Sequence, residues 1–260
     1  MTEKVVVLSG ASGGIGLAAA SRFKQASCRV FGLSRHEGGG CEWVKCDVTD
    51  ESSVNEAVNE VIARAGHIDV LVNNAGWGIS GSVEFTELEQ AQRQLDVNFF
   101  GALRLPRAVL PHMRADKGGC VLFVSSIAAV ASIPFQSMYS ASKAAINQLA
   151  LALANELRPF NIRVAAIMPG DIKTGFTAAR AKNTKGEDVY LRQASAVRSM
   201  EKDEQGGMPP KSVAELLYRV SLKKHPKPLY AVGLQYKAVA VLIKLLPVRF
   251  ANWVIGYLYS

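Results

Sequence analysis

Five short, mainly apolar runs punctuate this chain: Lys4–Leu8, Cys28–Leu33, Ile68–Val72, Val121–Val124 and Ile162–Ile167. A strand with one wet face alternates apolar and polar residues. Val5-Val-Val-Leu8 and Val121-Leu-Phe-Val124 are instead apolar at every position, the mark of strands buried on both faces. Between the runs lie stretches of helical period: Gly14–Gln25, Glu51–Ala65 with Asp50 as its cap, Leu88–Met113 as one or two helices, and Tyr139–Leu157, stopped by Pro159. Strands and helices that alternate in this way put helices on both faces of a parallel sheet, so the expected class is α/β with a doubly wound parallel sheet. Trp43–Cys46 adds a strand, Lys211–Leu222 a helix and Pro228–Val232 a last edge strand. Residues 1–260 are expected to form a single domain. Within it, 171–210 is polar and weakly periodic, which predicts a mobile excursion serving as a substrate lid, and 233–260 is an amphipathic helical extension.

With 49% hydrophobic residues the chain can bury a sizeable core. Cys28, Cys41, Cys46 and Cys120 include no Cys-x-x-Cys pair and resemble no disulfide framework, so a reducing compartment is expected. His36, Cys41 and Cys46 could be drawn as a metal site, but no metal is expected. The apolar run after Met1 is too short for a secretory signal and ends in glycines, which predicts a cytoplasmic protein. The formal net charge of +8 is concentrated at the end: 211–260 holds eight Lys and Arg against Glu215 alone. Charge by itself suggests nucleic acid. Phosphates of a cofactor and a basic tail account for it equally, and no nucleic-acid partner is expected.

Three local patterns bear chemistry. Gly10, Gly14 and Gly16 fall where the first strand hands over to the first helix, where small residues let a pyrophosphate approach backbone amides at a helix N-terminus. The second strand ends in Gly32-Leu-Ser34-Arg35, with no acid to accept ribose hydroxyls. Arg35, with Ser34 and Ser12, suits a 2′-phosphate, which predicts NADP(H) over NAD(H). Tyr139 and Lys143 stand four apart on one helix face, where a cation beside a phenol favours the phenolate, so the pair reads as an acid/base device.

Taken together, Ser9-Gly-Ala-Ser-Gly-Gly-Ile-Gly16, Cys46-Asp47-Val48, Asn73-Asn-Ala-Gly76, Asn98, Ser126, Tyr139-x-x-x-Lys143 and Pro169-Gly170 resemble the short-chain dehydrogenase/reductase family, in its order and spacing, over about residues 4–175. Ser9 stands where threonine is usual, which keeps the hydroxyl. The resemblance implies a Rossmann-type sheet in which Gly10, Ser12, Gly14, Ile15 and Gly16 hold the phosphates and Asp47 and Val48 the adenine. It sets Asn74 and Gly76 under the ribose and makes Pro169, Gly170, Ile172 and Thr174 a clamp on the nicotinamide. Ser126, thirteen residues before Tyr139, is implied to polarise a carbonyl, with Ser125 facing the other side of the strand end. Tyr139 gives the proton, Lys143 lowers its pKa and binds ribose hydroxyls, and Asn98 holds a water linking Lys143 to solvent.

Substrate choice falls to the last third. Ile172, Phe176, Tyr190 and Met208, with Ile133, Pro134 and Phe135 before Tyr139, are candidate apolar walls for a hydrophobic ketone or alcohol. Leu234–Leu246 is apolar except for Gln235, Lys237 and Lys244; Pro247 breaks it, and Val248–Tyr259 follows with Phe250, Trp253, Tyr257 and Tyr259. Such a tail either lies on a membrane interface or packs over the pocket or another subunit, and packing is the preferred reading. With Asn74-Ala-Gly-Trp-Gly-Ile-Ser-Gly81 and Lys173-Thr-Gly-Phe176, it is similar to the subgroup of hydroxysteroid and retinol dehydrogenases and acyl-dihydroxyacetone-phosphate reductases. The expectation is an NADP(H)-dependent interconversion of a ketone and a secondary alcohol on a hydroxysteroid or lipid-like compound. A carbonyl reductase of small metabolites and an idle NADP-binding regulator are the alternatives. The resemblance further implies a homodimer or homotetramer built through Leu88–Met113 and Tyr139–Leu157.

Overall fold

The computed structural model describes residues 3–258. Seven parallel strands form one sheet in the order β3-β2-β1-β4-β6-β7-β9, where β1 is Val5–Ser9, β2 Arg29–Ser34, β3 Glu42–Lys45, β4 Val70–Asn73, β6 Gly119–Val124, β7 Ile162–Met168 and β9 Leu229–Ala231. This is the doubly wound, Rossmann-type arrangement expected from the consecutive apolar runs. Alternate residues of each strand serve opposite cores. Val5, Val7, Phe31 and Leu33 pack with α2 (Glu51–Ala65), α4 (Gly101–Ala115) and α5 (Ser137–Glu156). Val6, Leu8, Val30 and Val72 pack with α1 (Gly14–Gln25) and α8 (Pro210–Ser221). The winding reverses between β1 and β4, and a crevice opens at the carboxyl ends of the strands there.

The chain from Leu88 folds as one rod with a defect in it. α3 (Leu88–Leu95) runs into a single wide π turn, Asp96–Phe100, before α4. Such turns often mark functional positions, and this one carries Asn98, which is fully buried.

Residues 171–210 carry more regular structure than their weak periodicity predicts. α6 (Phe176–Ala179) and α7 (Gln193–Gln205) lie there, and β8 (Ala181–Lys182) pairs in parallel with β5 (Ile79–Ser80). Polar side chains tie this segment down. Gln193, fully buried, accepts from Ser82 N at 2.8 Å and donates to the carbonyl of Asn183 at 2.9 Å. A glutamine used in this way is indistinguishable in sequence from one in a loop.

Beyond β9 come α9 (Leu234–Leu245), which packs on the body through Tyr236 and Ala240, and α10 (Val248–Leu258). Tyr259, the last aromatic of the expected tail, is outside the described residues. Among those residues, no helix is long and apolar enough to cross a membrane.

Candidate active site

A cleft of about 860 Å³ runs across the carboxyl ends of the central strands, lined at one end by Gly10, Ser12, Arg35 and Asp47 and at the other by Ser126, Tyr139, Lys143 and Gly170. Every residue singled out as catalytic or cofactor-binding lines this cleft except Gly16 and Asn98, which stand just behind its wall.

The glycine turn is shaped by two requirements. Gly10 and Gly14 have φ of +68° and +53°, where a side chain is strained, and a Cβ on Gly16 would fall 2.0 Å from the Gly10 carbonyl oxygen. No side chain caps the N-terminus of α1, so its first amides are left for a ligand. Asn74 is closer to the turn than the expected place under a ribose suggests. Its amide donates to the carbonyls of Ser9 at 3.2 Å and Gly10 at 3.1 Å, while Ser9 Oγ accepts from the amides of Asn74 and Ala75. Asn74 and Ser9 therefore lash β1 to β4 and hold the turn open.

At the mouth, Arg35 is exposed, and the Ser34 hydroxyl donates to the His36 carbonyl at 2.7 Å. Asp47 accepts from the backbone N–H and the hydroxyl of Thr49 at 2.9 and 2.7 Å, which holds its carboxyl below the usual range. Val48 packs on Gly101, and Arg104 donates to its carbonyl.

At the other end the first turns of α5 meet the end of β6. Ser126 begins a short 3₁₀ turn, Ile127–Ala129, and accepts from Ala128 N at 3.1 Å, which fixes its hydroxyl toward the cleft floor. Ser125 does not turn away from the site as expected; its hydroxyl donates to the carbonyl of Lys143 at 3.1 Å and ties the strand end to α5. Lys143, 4% exposed, donates from Nζ to the Val124 carbonyl at 2.9 Å, and burial pulls its pKa down to about 8. Burial pushes the Tyr139 phenol up to about 12, against a hydrogen bond with Ser126 and with a smaller push from the charges of Glu204 and Asp171.

Lys143 Nζ lies 5.7 Å from the centre of the Tyr139 ring and donates to a carbonyl, and burial is the largest influence on the phenol. Asn98 also differs from expectation in detail: its amide donates to Trp77 O and Ser142 Oγ and accepts from Trp77 N, so the side chain has little left to offer a water.

Pro169 accepts from Ile127 N at 2.8 Å, and Thr174 reaches across to Gly14. Tyr236 of α9 escaped the sequence reading. Its hydroxyl donates to Asp171 Oδ2 at 2.6 Å and accepts from Asp171 N at 3.0 Å. Its ring lies so close over Gly170 that a Cβ there would fall 2.1 Å from a ring carbon. One tyrosine in an apolar helix gives no sign of this.

Of the candidate apolar walls, Ile133, Ile172 and Phe176 line the cleft, the Phe176 ring lying tilted with its centre 5.5 Å from that of Tyr139. Pro134, Phe135, Tyr190 and Met208 do not. Tyr190 packs between Phe85 and Phe135 and donates to Glu84, and Met208 pairs with Ile172 in the core behind the cleft. Met200, Asp171 and Glu204 line it instead. Glu204 pairs with buried Arg180 and accepts from Thr177 at 2.6 Å. Lone acids in a polar stretch carry no sequence signal.

The uncapped helix start, the glycine-rich turn and a cleft of about 860 Å³ that reaches from that turn to Tyr139 fit a dinucleotide. Residues 4–185 match the family model described as short chain dehydrogenase. The chain is 36% identical over 235 residues to 3-ketodihydrosphingosine reductase of Bacteroides thetaiotaomicron, covering 87% of this chain and 86% of that one. A short-chain dehydrogenase from Streptomyces avermitilis superposes with a TM-score of 0.85 at 30% identity, covering 94% of both chains. The 3-ketoacyl-(acyl-carrier-protein) reductase of Brucella melitensis, solved with NADH, superposes with a TM-score of 0.76 at 25% identity over 90% of this chain and 97% of that one. Fold, site and relatives agree: this chain belongs to the short-chain dehydrogenase family of nicotinamide-dependent oxidoreductases.

Proposed function

We propose that the protein reduces a long-chain, lipid-like ketone to a secondary alcohol with NADPH, and runs the reverse oxidation with NADP⁺. The observation that carries this reading is the presence of Tyr139, Ser126 and buried Lys143 together in the wall of the cleft whose other end is the glycine turn. When bound, the nicotinamide supplies the hydride. Ser126 donates a hydrogen bond to the carbonyl oxygen and orients it. Tyr139 delivers its proton to that oxygen as negative charge develops, and general-acid help of this kind is worth roughly 10²- to 10⁴-fold. Lys143, charged below about pH 8, stabilises the developing charge and can hold ribose hydroxyls. A water that returns protons to Lys143 would rest on the main chain of the π turn, because the Asn98 amide is committed. Phe176, Ile133 and Met200 keep bulk water from the reacting oxygen.

NADP(H) is favoured by the exposed Arg35 guanidinium at the mouth and by the absence of an acid at the end of β2. Two features favour the substrate class. A relative 36% identical is named for reduction of 3-ketodihydrosphingosine. The substrate end joins the apolar Ile133, Phe176 and Met200 to the carboxylates of Asp171 and Glu204, which suits a chain carrying a hydroxyl or amine beside its ketone.

The test is oxidation of NADPH and NADH with 3-ketodihydrosphingosine, a long-chain ketone lacking the amine, a ketosteroid and small polar ketones. The expected result is the highest kcat/KM for the long-chain amino ketone, with NADPH preferred at least about tenfold. Preference for the small ketones would overturn the substrate reading; NADPH binding without turnover on any compound would overturn the enzymatic one.

A further inference from the structure

We propose that the outer faces of α9 and α10 dock on an anionic lipid surface. α9 is two-sided. Tyr236, Ala240 and Ile243 turn toward the body, Tyr236 and Ala240 packing on the cluster of Ile127, Met168 and Ala231. Leu234, Val241, Leu242 and Leu245 recur at helical spacing on the opposite side and stand in solvent, Leu234 84% and Leu245 75% exposed. Lys237 and Lys244, seven apart and both exposed, border this stripe on one side.

α10, two residues further on, carries a second exposed apolar face. Ala251 is its one buried residue, whereas Phe250, Trp253 and Tyr257 form an exposed ladder, Phe250–Trp253 and Trp253–Tyr257 each stacked at 6.0 Å, with Trp253 63% exposed. Arg249 stands exposed beside Phe250. Leucines, an aromatic ladder and flanking basic residues on the exposed faces of two consecutive helices are the composition of a helix pair lying in a membrane interface.

The alternative occupant is a second copy of this chain, and charge argues against it. Residues 216–258 contain seven Lys and Arg and no Asp or Glu. A two-fold contact through these faces would set Lys237, Lys244 and Arg249 of one copy against a tail that carries the same cations and no acid. Anionic headgroups neutralise the same cations, at about 1 kcal/mol for each basic residue near the surface. Docking would also bring the bilayer to the cleft, because the inner face of α9 grips Gly170 and Asp171 through Tyr236. A lipid-like substrate could then enter from the interface; this last point rests on the proposed function, whereas the docking does not.

The test uses the full chain with vesicles of phosphatidylcholine alone or mixed with phosphatidylglycerol, read by co-sedimentation and tryptophan emission. The expected result is sedimentation with the anionic vesicles only, weakened by salt, and a blue shift that disappears in Trp253→Phe. Lys237→Gln with Lys244→Gln should weaken partitioning about thirtyfold, and Leu242→Glu with Leu245→Glu should abolish it, both with unchanged NADPH binding. Three outcomes would overturn the proposal: no sedimentation at low salt, equal sedimentation with neutral vesicles, or a dimer that Leu242→Glu with Leu245→Glu dissolves while no vesicle binds.

Discussion

Lys143 lets the cost of function be measured as stability. Its pKa stands at about 8 against an ordinary 10.5 because burial penalises the charged form. At about 1.36 kcal/mol per unit, holding that ammonium dry costs the fold about 3 kcal/mol wherever it is charged in both states. Methionine has a similar stem and no charge. Lys143→Met would leave the Val124 carbonyl without its donor, which costs about 1 to 3 kcal/mol, so the net expected gain near pH 7 is at most about 2 kcal/mol, or about 4 to 8 °C in Tm. The sign follows from proton uptake. Between about pH 8 and 10.5 the unfolded chain binds the proton and the folded one does not, so the wild type gains stability as pH rises through that window. About 2 kcal/mol of the variant's advantage should therefore vanish between pH 7 and 9.5. Circular-dichroism melts at the two pH values measure this, alongside a turnover loss of at least about a hundredfold. A variant less stable than the wild type at pH 7, or an advantage that ignores pH, would refute the reasoning.

Other outcomes follow from the same geometry. Arg35→Asp removes the cation at the cleft mouth and should move the kcat/KM ratio toward NADH by about tenfold or more; an unchanged ratio would sink the 2′-phosphate assignment. Asn74→Ala leaves the Ser9 and Gly10 carbonyls without their donor and should cost about 1 to 3 kcal/mol in denaturant melts while weakening NADPH binding. Full stability with intact binding would show that the lashing of β1 to β4 is dispensable.

The sheet and the cleft residues were legible because their signals are local. Val5–Leu8 is apolar at every position, Asp50 caps α2 as expected by accepting from Ser52 and Ser53, and the glycines fall where the strand meets the helix. Long-range pairings were hidden. Asn74 reads as a ribose contact until its amide is found on Gly10, sixty-four residues away. Tyr236 reads as one more ring in an apolar helix until it is seen over Gly170. The surroundings of the catalytic pair were hidden for a related reason: spacing on a helix reports that Lys143 is near Tyr139, but not that the ammonium is buried and bonded to Val124. The tail was expected to pack over the pocket or another subunit, or to lie on a membrane. One face of α9 packs; the other stands in solvent.

The central claim is that Tyr139 delivers the proton, and Tyr139→Phe tests it most directly. The variant keeps the ring against Phe176 and removes only the hydroxyl. NADPH consumption with a long-chain ketone should fall to background, while NADPH binding, read by fluorescence titration, stays within about twofold of the wild type. A variant that binds NADPH normally and keeps more than about a tenth of wild-type turnover would contradict the account.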